Sequence, residues 1–343
     1  MYSESKFTDA KVIAGIKKVL TNHVKKRPEF AWMNQLSSKV YQSALQDLQS
    51  AFTRYRKGLA RHPVFASRKD GQSFTVYDGN GKILISAGST IKIPTVGTFR
   101  LHEPLTEAYV TQTFTVSRSG NRWYAQTAVD AERTPVKHVK DAVGIDVGVK
   151  AFATLSNSEV FDATLPLKQA KTRRVTRPLG TEGDNARRLA LLQRKASKQV
   201  KGSANQRKTY DKIRCLHAHV SSIRKDFLHK LTTYLAHTFK VIKIEDLNIL
   251  GMLANHKLAG AIAELGFYEF KRQLIYKCQM YGSRLVRVNQ WFPSTKMCSD
   301  CSYLQPIPLS ERVYSCSICG MVKDRDFNAS LNILNWEPTA CGG

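Results

Sequence analysis

The segment "CSICGMVKDRDFNAS" (316–330) places two kinds of metal ligand a few residues apart: the thiols of Cys316 and Cys319, then the oxygen and amide groups of Asp324, Asp326 and Asn328. Thiolates suit zinc and carboxylates suit magnesium. A second C-x-x-C pair, Cys298 and Cys301, is separated from Cys316 by fourteen intervening residues. Each pair lets one tight turn deliver two sulfurs to one ion, and four thiolates make a closed tetrahedral site with no open position for water. The spacing therefore predicts one structural Zn²⁺ ion. Cys215 and Cys278 fall in helical patterns, where packing is the expected role, and Cys341 lies in a terminal tail.

Further acids sit far away in the chain. Asp146 interrupts the apolar run "AVGIDVGVKAF", where a bare carboxylate is costly unless a metal or donors compensate it. Glu245 and Asp246 end the isolated run "VIKIE" and its next residue. Singly, each acid has a plainer role. Asp146 could be a turn acid between glycines. Glu245 could be a helix-start charge, with Asp246 the ligand or neither. Asp324 could cap the last helix and Asp326 favour its dipole. Together, acids from distant segments, two of them on hydrophobic strands, suit the centre of an RNase H-like sheet. There they would hold two Mg²⁺ ions about 3.5–4 Å apart on a phosphodiester.

Positioning such groups needs several elements. Residues 8–58 read as helical, with Val40, Ala44, Leu45, Leu48, Ala51, Phe52 and Tyr55 at helical spacing, Ser37 or Ser38 as N-cap and Gly58 as the end. From about 72 to 130 the period becomes two, with a hairpin expected around Asp78–Gly81, so a small antiparallel sheet or barrel fits. "AVGIDVGVKAFATLS" gives two strands, 185–238 a helical hairpin broken near Gly202, "KVIKIEDL" a buried strand, "GFYEFKRQLIYKCQMYG" a helix, "SRLVRVNQWF" a strand and "FNASLNILNW" a last helix. Trp291 and Phe292 are expected to anchor a domain junction.

Composition bounds the partners. A 42% hydrophobic content supports real cores, and 53 Lys and Arg against 27 acids give a net charge of +26, an attractive field for nucleic acid. No 18-residue apolar run or lipidation signal points to a membrane. The polar N-terminus shows no secretory h-region, so a cytoplasmic protein with reduced thiols is expected.

With these residues assembled, the chain resembles TnpB, the family of transposon-encoded RNA-guided nucleases related to type V CRISPR effectors. The likeness runs from about Pro28 to Asn335 and is carried, in order, by "VGIDVGVKAFATLS", "RKDFLHKLT", "IEDLNILGMLANHKLAGAIAELGFYEFKRQLIYK", "WFPSTKMCSDCS" and "CSICGMVKDRDFNASLNIL". The resemblance implies a multidomain α+β protein. A helical recognition lobe (1–70) precedes a wedge-like small antiparallel β barrel (71–138). An RNase H-like (RuvC) nuclease domain (139–293) then carries the basic hairpin 185–238. An inserted zinc ribbon (294–323), the last RuvC segment (324–337) and a tail (338–343) complete it. In that family the zinc module stands just before the last catalytic acid, which accounts for the two ligand sets of 316–330.

The resemblance further implies Asp146, Glu245 and Asp326 as catalytic acids holding two Mg²⁺ (or Mn²⁺) ions, with Cys298, Cys301, Cys316 and Cys319 holding zinc. It implies a guide RNA and cleavage of guide-matched DNA next to a short motif. One departure is the segment "MYSESKFTDAKVIAGIKKVLTNHVKK", which stands where members usually carry an additional strand and helix. The barrel is therefore expected to lack a strand. That keeps a second function in view: a guide-RNA-dependent DNA-binding protein or repressor with impaired cleavage. A third is an RNA-free structure-specific nuclease.

Between Lys168 and Arg214 there are fifteen Lys and Arg against three acids, a density that favours a phosphate backbone alongside. The nominated contacts are Arg173, Arg174, Arg187, Arg188, Arg194, Lys195, Lys198 and Lys201, with Arg224 and Lys225 beyond them. On the recognition helix Lys39, Gln42, Gln46 and Gln49 are placed to face DNA edges.

Overall fold

The computed structural model describes residues 10–65, 72–77, 83–85, 87–93, 97–111, 113–128, 136–162, 185–254, 259–308 and 311–337. The chain divides into two compact units, Met1–Ala131 and Glu132–Gly343. Among the described residues no helix is long and apolar enough to cross a membrane.

In the first unit, helix α1 (Ala10–Asn22) leads through 3-10 turns at Val24–Lys26 and Pro28–Gln35 into α2 (Ser38–Arg56). The expected helical stretch is thus interrupted, and Pro28, which has no N–H to donate, opens the second turn. Ser37 caps α2 by accepting from the Lys39 N–H at 3.3 Å. Gly58, at φ +68°, ends it in a conformation that glycine alone adopts freely. The predicted apolar stripe is only partly covered: Phe52 is buried, whereas Ala44 and Tyr55 are exposed. Ser43 is buried instead, accepting from the Tyr77 N–H at 3.1 Å and tying α2 to the first strand.

Among the described residues seven strands follow: β1 (Gln72–Tyr77), β2 (Ile83–Ile85), β3 (Gly88–Ile93), β4 (Gly97–Leu105), β5 (Tyr109–Thr111), β6 (Thr113–Ser119) and β7 (Arg122–Thr127). The turn expected at Asp78–Gly81 lies outside the described residues; among the described strands β1 pairs with β6 and β2 with β5. The distant partner wins by burying Val76 against Phe114 and Val116. Pairing is antiparallel throughout, as expected. The described strands form three small sheets, β1-β6-β7, β2-β5 and β3-β4, so a closed barrel is not formed among the described residues.

The second unit is built on a five-stranded sheet of order β10-β9-β8-β11-β12. Its strands are β8 (Lys140–Val147), β9 (Ala151–Leu155), β10 (Val160–Asp162), β11 (Phe239–Glu245) and β12 (Arg284–Val288). β8, β11 and β12 run parallel, while β9 and β10 form an antiparallel meander from β8. Helices α3 (Asn185–Lys198) and α4 (Ala204–Thr238) make the expected hairpin, turned at Gly202 (φ +80°) and capped by Ser203. Two short helices, α5 (Ile249–Ala254) and α6 (Ala259–Leu265), precede α7 (Phe267–Tyr281), which carries the chain to β12. The hairpin β13 (Val313–Ser315) and β14 (Val322–Asp324) then leads into α8 (Arg325–Asn335).

Alternation along the central strands sorts their side chains onto two faces. Val143, Ile145, Ile242 and Ile244 enter the main core with Leu228, Leu235, Phe270 and Leu274. The intervening Gly144, Asp146, Lys243 and Glu245 belong to the opposite face, which α8 covers. Lys243 donates to the Trp336 carbonyl at 2.6 Å, fastening the end of that helix. At Gly144 the contact is backbone to backbone: an added Cβ would meet the Ser330 carbonyl oxygen and the Leu334 nitrogen, with the Leu334 Cα 2.9 Å away.

Neither partner in that contact can rotate aside, so Gly144→Ala is expected to destabilise the second unit by about 2–3 kcal/mol, the upper range for overpacking. Urea unfolding measures it; a change under about 0.5 kcal/mol would remove the close-approach account.

Candidate functional site

Ile145 and Ile244 face each other in the parallel ladder of β8 and β11. The next residues, Asp146 and Glu245, therefore stand side by side at the C-terminal ends of the two central strands, on the face that α8 covers. Ser330 and Leu334 rest on Gly144, and Asp326 lies one helical turn before Ser330 on the same stripe. The helix thus brings Asp326 to the level of Asp146.

The electrostatics agree with this placement. Burial first, then the charges of Asp326 and Glu245, push the Asp146 carboxyl up to about 7, against a smaller pull from Arg325. Burial also pushes Glu245 up to about 7. Asp146 and Glu245, buried at this point, hold protons toward neutrality unless a cation joins them. The three acids are more widely spread than the cysteines: among the described residues, the one group of three or more such donors whose ligand atoms all lie within 4.8 Å of one another is the set of four thiols.

The neighbouring acids are otherwise engaged. Asp246 forms ion pairs with Lys271 and, at 3.6 Å, with Arg287. Asp324 caps α8 by accepting from the Asp326 and Phe327 N–H groups at 2.9 and 3.0 Å. Asn328 also leaves the hard-ligand set suggested by the sequence. Its side chain accepts from the Ser299 N–H at 2.9 Å and donates to the Met297 carbonyl at 2.7 Å. Sequence reasoning gave no weight to the arginines at this point. Arg325 lies 3.2 Å from Asp326 with its side chain only 12% exposed, and Arg312 reaches the other Asp326 oxygen at 3.6 Å. Position 325, between the two acids of Asp-Arg-Asp, was the available signal.

The cysteines converge on one point. The Cys298 and Cys319 sulfurs are 3.6 Å apart, as are those of Cys301 and Cys316. Four thiolates at about 2.3 Å from a tetrahedral zinc are separated by about 3.8 Å, whereas a disulfide bond is about 2.05 Å, so the donors fit zinc. Both knuckles are built alike. The Ser302 N–H donates to the Cys298 carbonyl at 2.9 Å and the Gly320 N–H to the Cys316 carbonyl at 3.1 Å. Each turn passes through the left-handed region, at Ser302 (φ 61°) and Gly320 (φ 71°). Backbone N–H groups at Cys319 and Ile318 draw the Cys316 thiol down, while burial and the neighbouring sulfurs raise Cys301 and Cys319, so the clustered thiols share protons that a bound metal would displace. The fully buried Tyr314 supports both knuckles with Met321.

The nominated nucleic-acid contacts separate into groups. Arg187, Arg188, Arg194, Lys195, Lys198 and Lys201 are exposed on and just after α3, and Lys225 is exposed on α4. Arg173 and Arg174 lie outside the described residues. The Arg224 guanidinium donates to the Ala263 and Glu264 carbonyls at 2.9 and 3.2 Å, so it caps the end of α6 instead of projecting freely. Lys39, Gln42 and Gln46 share one half-buried face of α2. Trp291 is 82% exposed, which removes the junction-anchor role expected for it.

One zinc per chain is the expected content of protein purified without chelator. Cys298→Ser and Cys316→Ser should each lower zinc content and melting temperature to a similar degree, by inductively coupled plasma analysis and calorimetry. A full zinc complement in either variant would contradict a four-thiolate centre.

Two family models match this chain: one described as "Probable transposase" over residues 124–256, and one as "Cas12f1-like, TNB domain" over residues 267–333. A Streptomyces pristinaespiralis protein named "Putative RNA-guided DNA endonuclease" is 36% identical over 328 residues, covering 93% of this chain and 76% of that protein. A protein of Escherichia coli strain K12 with the same description and the name InsQ is 31% identical over 327 residues, covering 90% and 77%. Among solved structures, the cryo-EM structure of the Cas12f1-sgRNA-target DNA complex aligns with 97% of this chain and 80% of that one, at a TM-score of 0.54 and 14% identity. That structural likeness, with the mixed α/β elements and the four-cysteine cluster, shows a common fold. Similarity of this extent along the sequence, with both family models in order, shows that the chain belongs to the TnpB family.

Proposed function

We propose that this protein is an RNA-guided, Mg²⁺-dependent DNA endonuclease in which Asp146, Glu245 and Asp326 form the metal-binding site. The observation that carries this reading is the register of β8 and β11, which sets Asp146 beside Glu245, together with the proximity of Asp326 that raises Asp146. The strand order supports it too: an antiparallel meander with two parallel strands beside its first member is the arrangement expected of an RNase H-like (RuvC) core. Two divalent ions held here would activate water and stabilise the leaving oxygen of a phosphodiester. The residues themselves supply oxygen donors from two rigid strands and one helix. They also supply a partly buried setting in which carboxylate charge is poorly solvated and a cation is strongly favoured. Arg325 at the start of α8 and Arg312 just before β13 hold positive charge against Asp326.

Guide and target would come to this chain as they do to the relatives named RNA-guided DNA endonucleases. The exposed cations of α3 offer a surface for a phosphate backbone, since binding there releases counterions. Zn²⁺ in the four-thiolate cluster would be structural, because a closed sulfur site offers no position for a reacting group.

With guide RNA bound, Asp146→Ala should reduce cleavage of a matched DNA by about 10³-fold or more, while guide and target still bind. Cleavage at the wild-type rate would sink the assignment of the site. A pH effect follows from the same carboxyls. Their folded-state values of about 7 lie above the ordinary 3.8 for Asp146 and 4.5 for Glu245. The folded protein therefore binds more protons than the unfolded chain between roughly pH 4 and 7, and metal-free stability falls as pH rises through that window. Mg²⁺ should consequently raise the melting temperature more at pH 8 than at pH 5.5, by differential scanning fluorimetry. Equal shifts at both values, or a larger one at pH 5.5, would count against these carboxylates as ligands.

A further inference from the structure

Helix α8 carries Asp326 on one side and two buried amides on another. Asp326, Ser330 and Leu334 fall on one stripe toward the sheet. Asn328 and Asn332, two residues later in phase, lie about 200° around the helix. Both amides are essentially inaccessible to solvent, at 0% and 1% exposure. Asn332 donates to the Ser294 carbonyl at 2.7 Å and to the Met297 carbonyl at 2.6 Å. Asn328 donates to the same Met297 carbonyl and accepts from the Ser299 N–H, the residue after Cys298. The backbone these amides read is therefore the lead-in and first turn of the first cysteine knuckle. On the opposite side, Gly144 admits the α8 backbone and Lys243 fastens its end. The helix is a plate between two layers.

We propose that Asn328 and Asn332 are positioning residues that couple the four-thiolate centre to the third carboxylate. The metal-loaded knuckle presents Ser294, Met297 and Ser299 in fixed places, and the two amides transmit that order to α8 and so to Asp326. The part concerning Asp326 rests on the site proposed above. The physical basis is the cost of a buried amide without partners: if the knuckle loses its fold, Asn328 and Asn332 can recover hydrogen bonds only by moving, and α8 moves with them.

Two measurements on the full chain with its guide RNA test this. In the first, amide hydrogen exchange is followed before and after zinc is withdrawn with a chelator. The α8 amides should lose protection together with residues 294–302, while β8 and β11 keep theirs. Unchanged α8 protection on zinc removal would overturn the proposal without requiring any variant. In the second, Asn332→Leu keeps the branched outline, with somewhat larger methyl groups, and removes both hydrogen bonds. It should retain zinc, weaken the response of α8 exchange to zinc, and raise the Mn²⁺ concentration for half-maximal cleavage about tenfold, the scale of one or two lost hydrogen bonds. Guide and target affinity should not change. Wild-type metal dependence, with α8 exchange still responding fully to zinc, would overturn it. Failure of the site reading is distinguishable: Asp326→Asn would then cleave normally, whereas the exchange result depends only on the amides and the zinc.

Discussion

The closest constraint in the second unit is the meeting of α8 with β8. A helix backbone can lie on a strand at this separation only where the strand residue has no side chain, and Gly144 is that residue. Because the contact joins rigid backbone to rigid backbone, it fixes the height and the rotation of α8 together. Rotation matters most, since a turn of 100° per residue would carry Asp326 off the stripe that overlies the sheet. The Lys243 bond at one end and the Asn328 and Asn332 bonds along one flank leave α8 little freedom to slide or roll. A helix of eleven residues would be marginal alone. Here its order comes from the layers on either side.

That geometry brings like charges together, which is unfavourable unless something answers it. The structure distributes its cations selectively. Lys271 and Arg287 neutralise Asp246, Arg325 and Arg312 face Asp326, and Asp324 is committed to its cap, whereas Asp146 and Glu245 are left with raised proton affinities. Proton affinity at a carboxyl that is buried among other acids is a measure of the local demand for positive charge. Ion pairing to Lys271 and Arg287 separates Asp246 from its chain neighbour Glu245, two residues that composition and spacing leave equivalent. Strand alternation reaches the same distinction independently, because Glu245 shares a face with Asp146 and Asp246 lies beyond the strand end.

The second unit was legible in the sequence to a degree that the first was not. Its strands are continuous apolar runs, the pattern of strands buried on both faces, and its helices keep steps of three and four, as in Ile213, Leu216 and Val220 of α4. The cysteine spacing specified its cluster outright. What the sequence withheld were relations set by distant packing. The turn-rich stretch after Tyr77 suggested a local hairpin, yet Val76 finds Phe114 and Val116 across a long separation. Arg224 looked like one more cation in a basic region, but the end of α6 arrives beside it and takes its donors. Asn328 sat among acids and resembled a hard ligand, while helical phase turned it toward the knuckle. In each case the residue type was read correctly and its partner lay in another element.

Placing a soft-ligand site one helix away from a hard-ligand site is chemically safe because the two donor sets do not exchange ions readily. Magnesium favours oxygen and dehydrates reluctantly, so thiolates are poor competitors for it. A closed set of four sulfurs leaves zinc no vacant position at which a phosphate oxygen or water could be drawn away from the carboxylates. Helix α8, about 10 Å across with its side chains, would keep the two proposed metal charges apart. In the proposed reading, sulfur chemistry would serve as a permanent fastening beside oxygen chemistry that releases and rebinds its ions. A fastening made of apolar packing would have needed a larger module than the short hairpin β13–β14 and two knuckles, whose own buried core is little more than Tyr314, Met321 and the cysteines. Zinc held by the four thiolates would supply the stability that so small a core lacks, and for that reason the cluster could stand this close to the proposed carboxylate site.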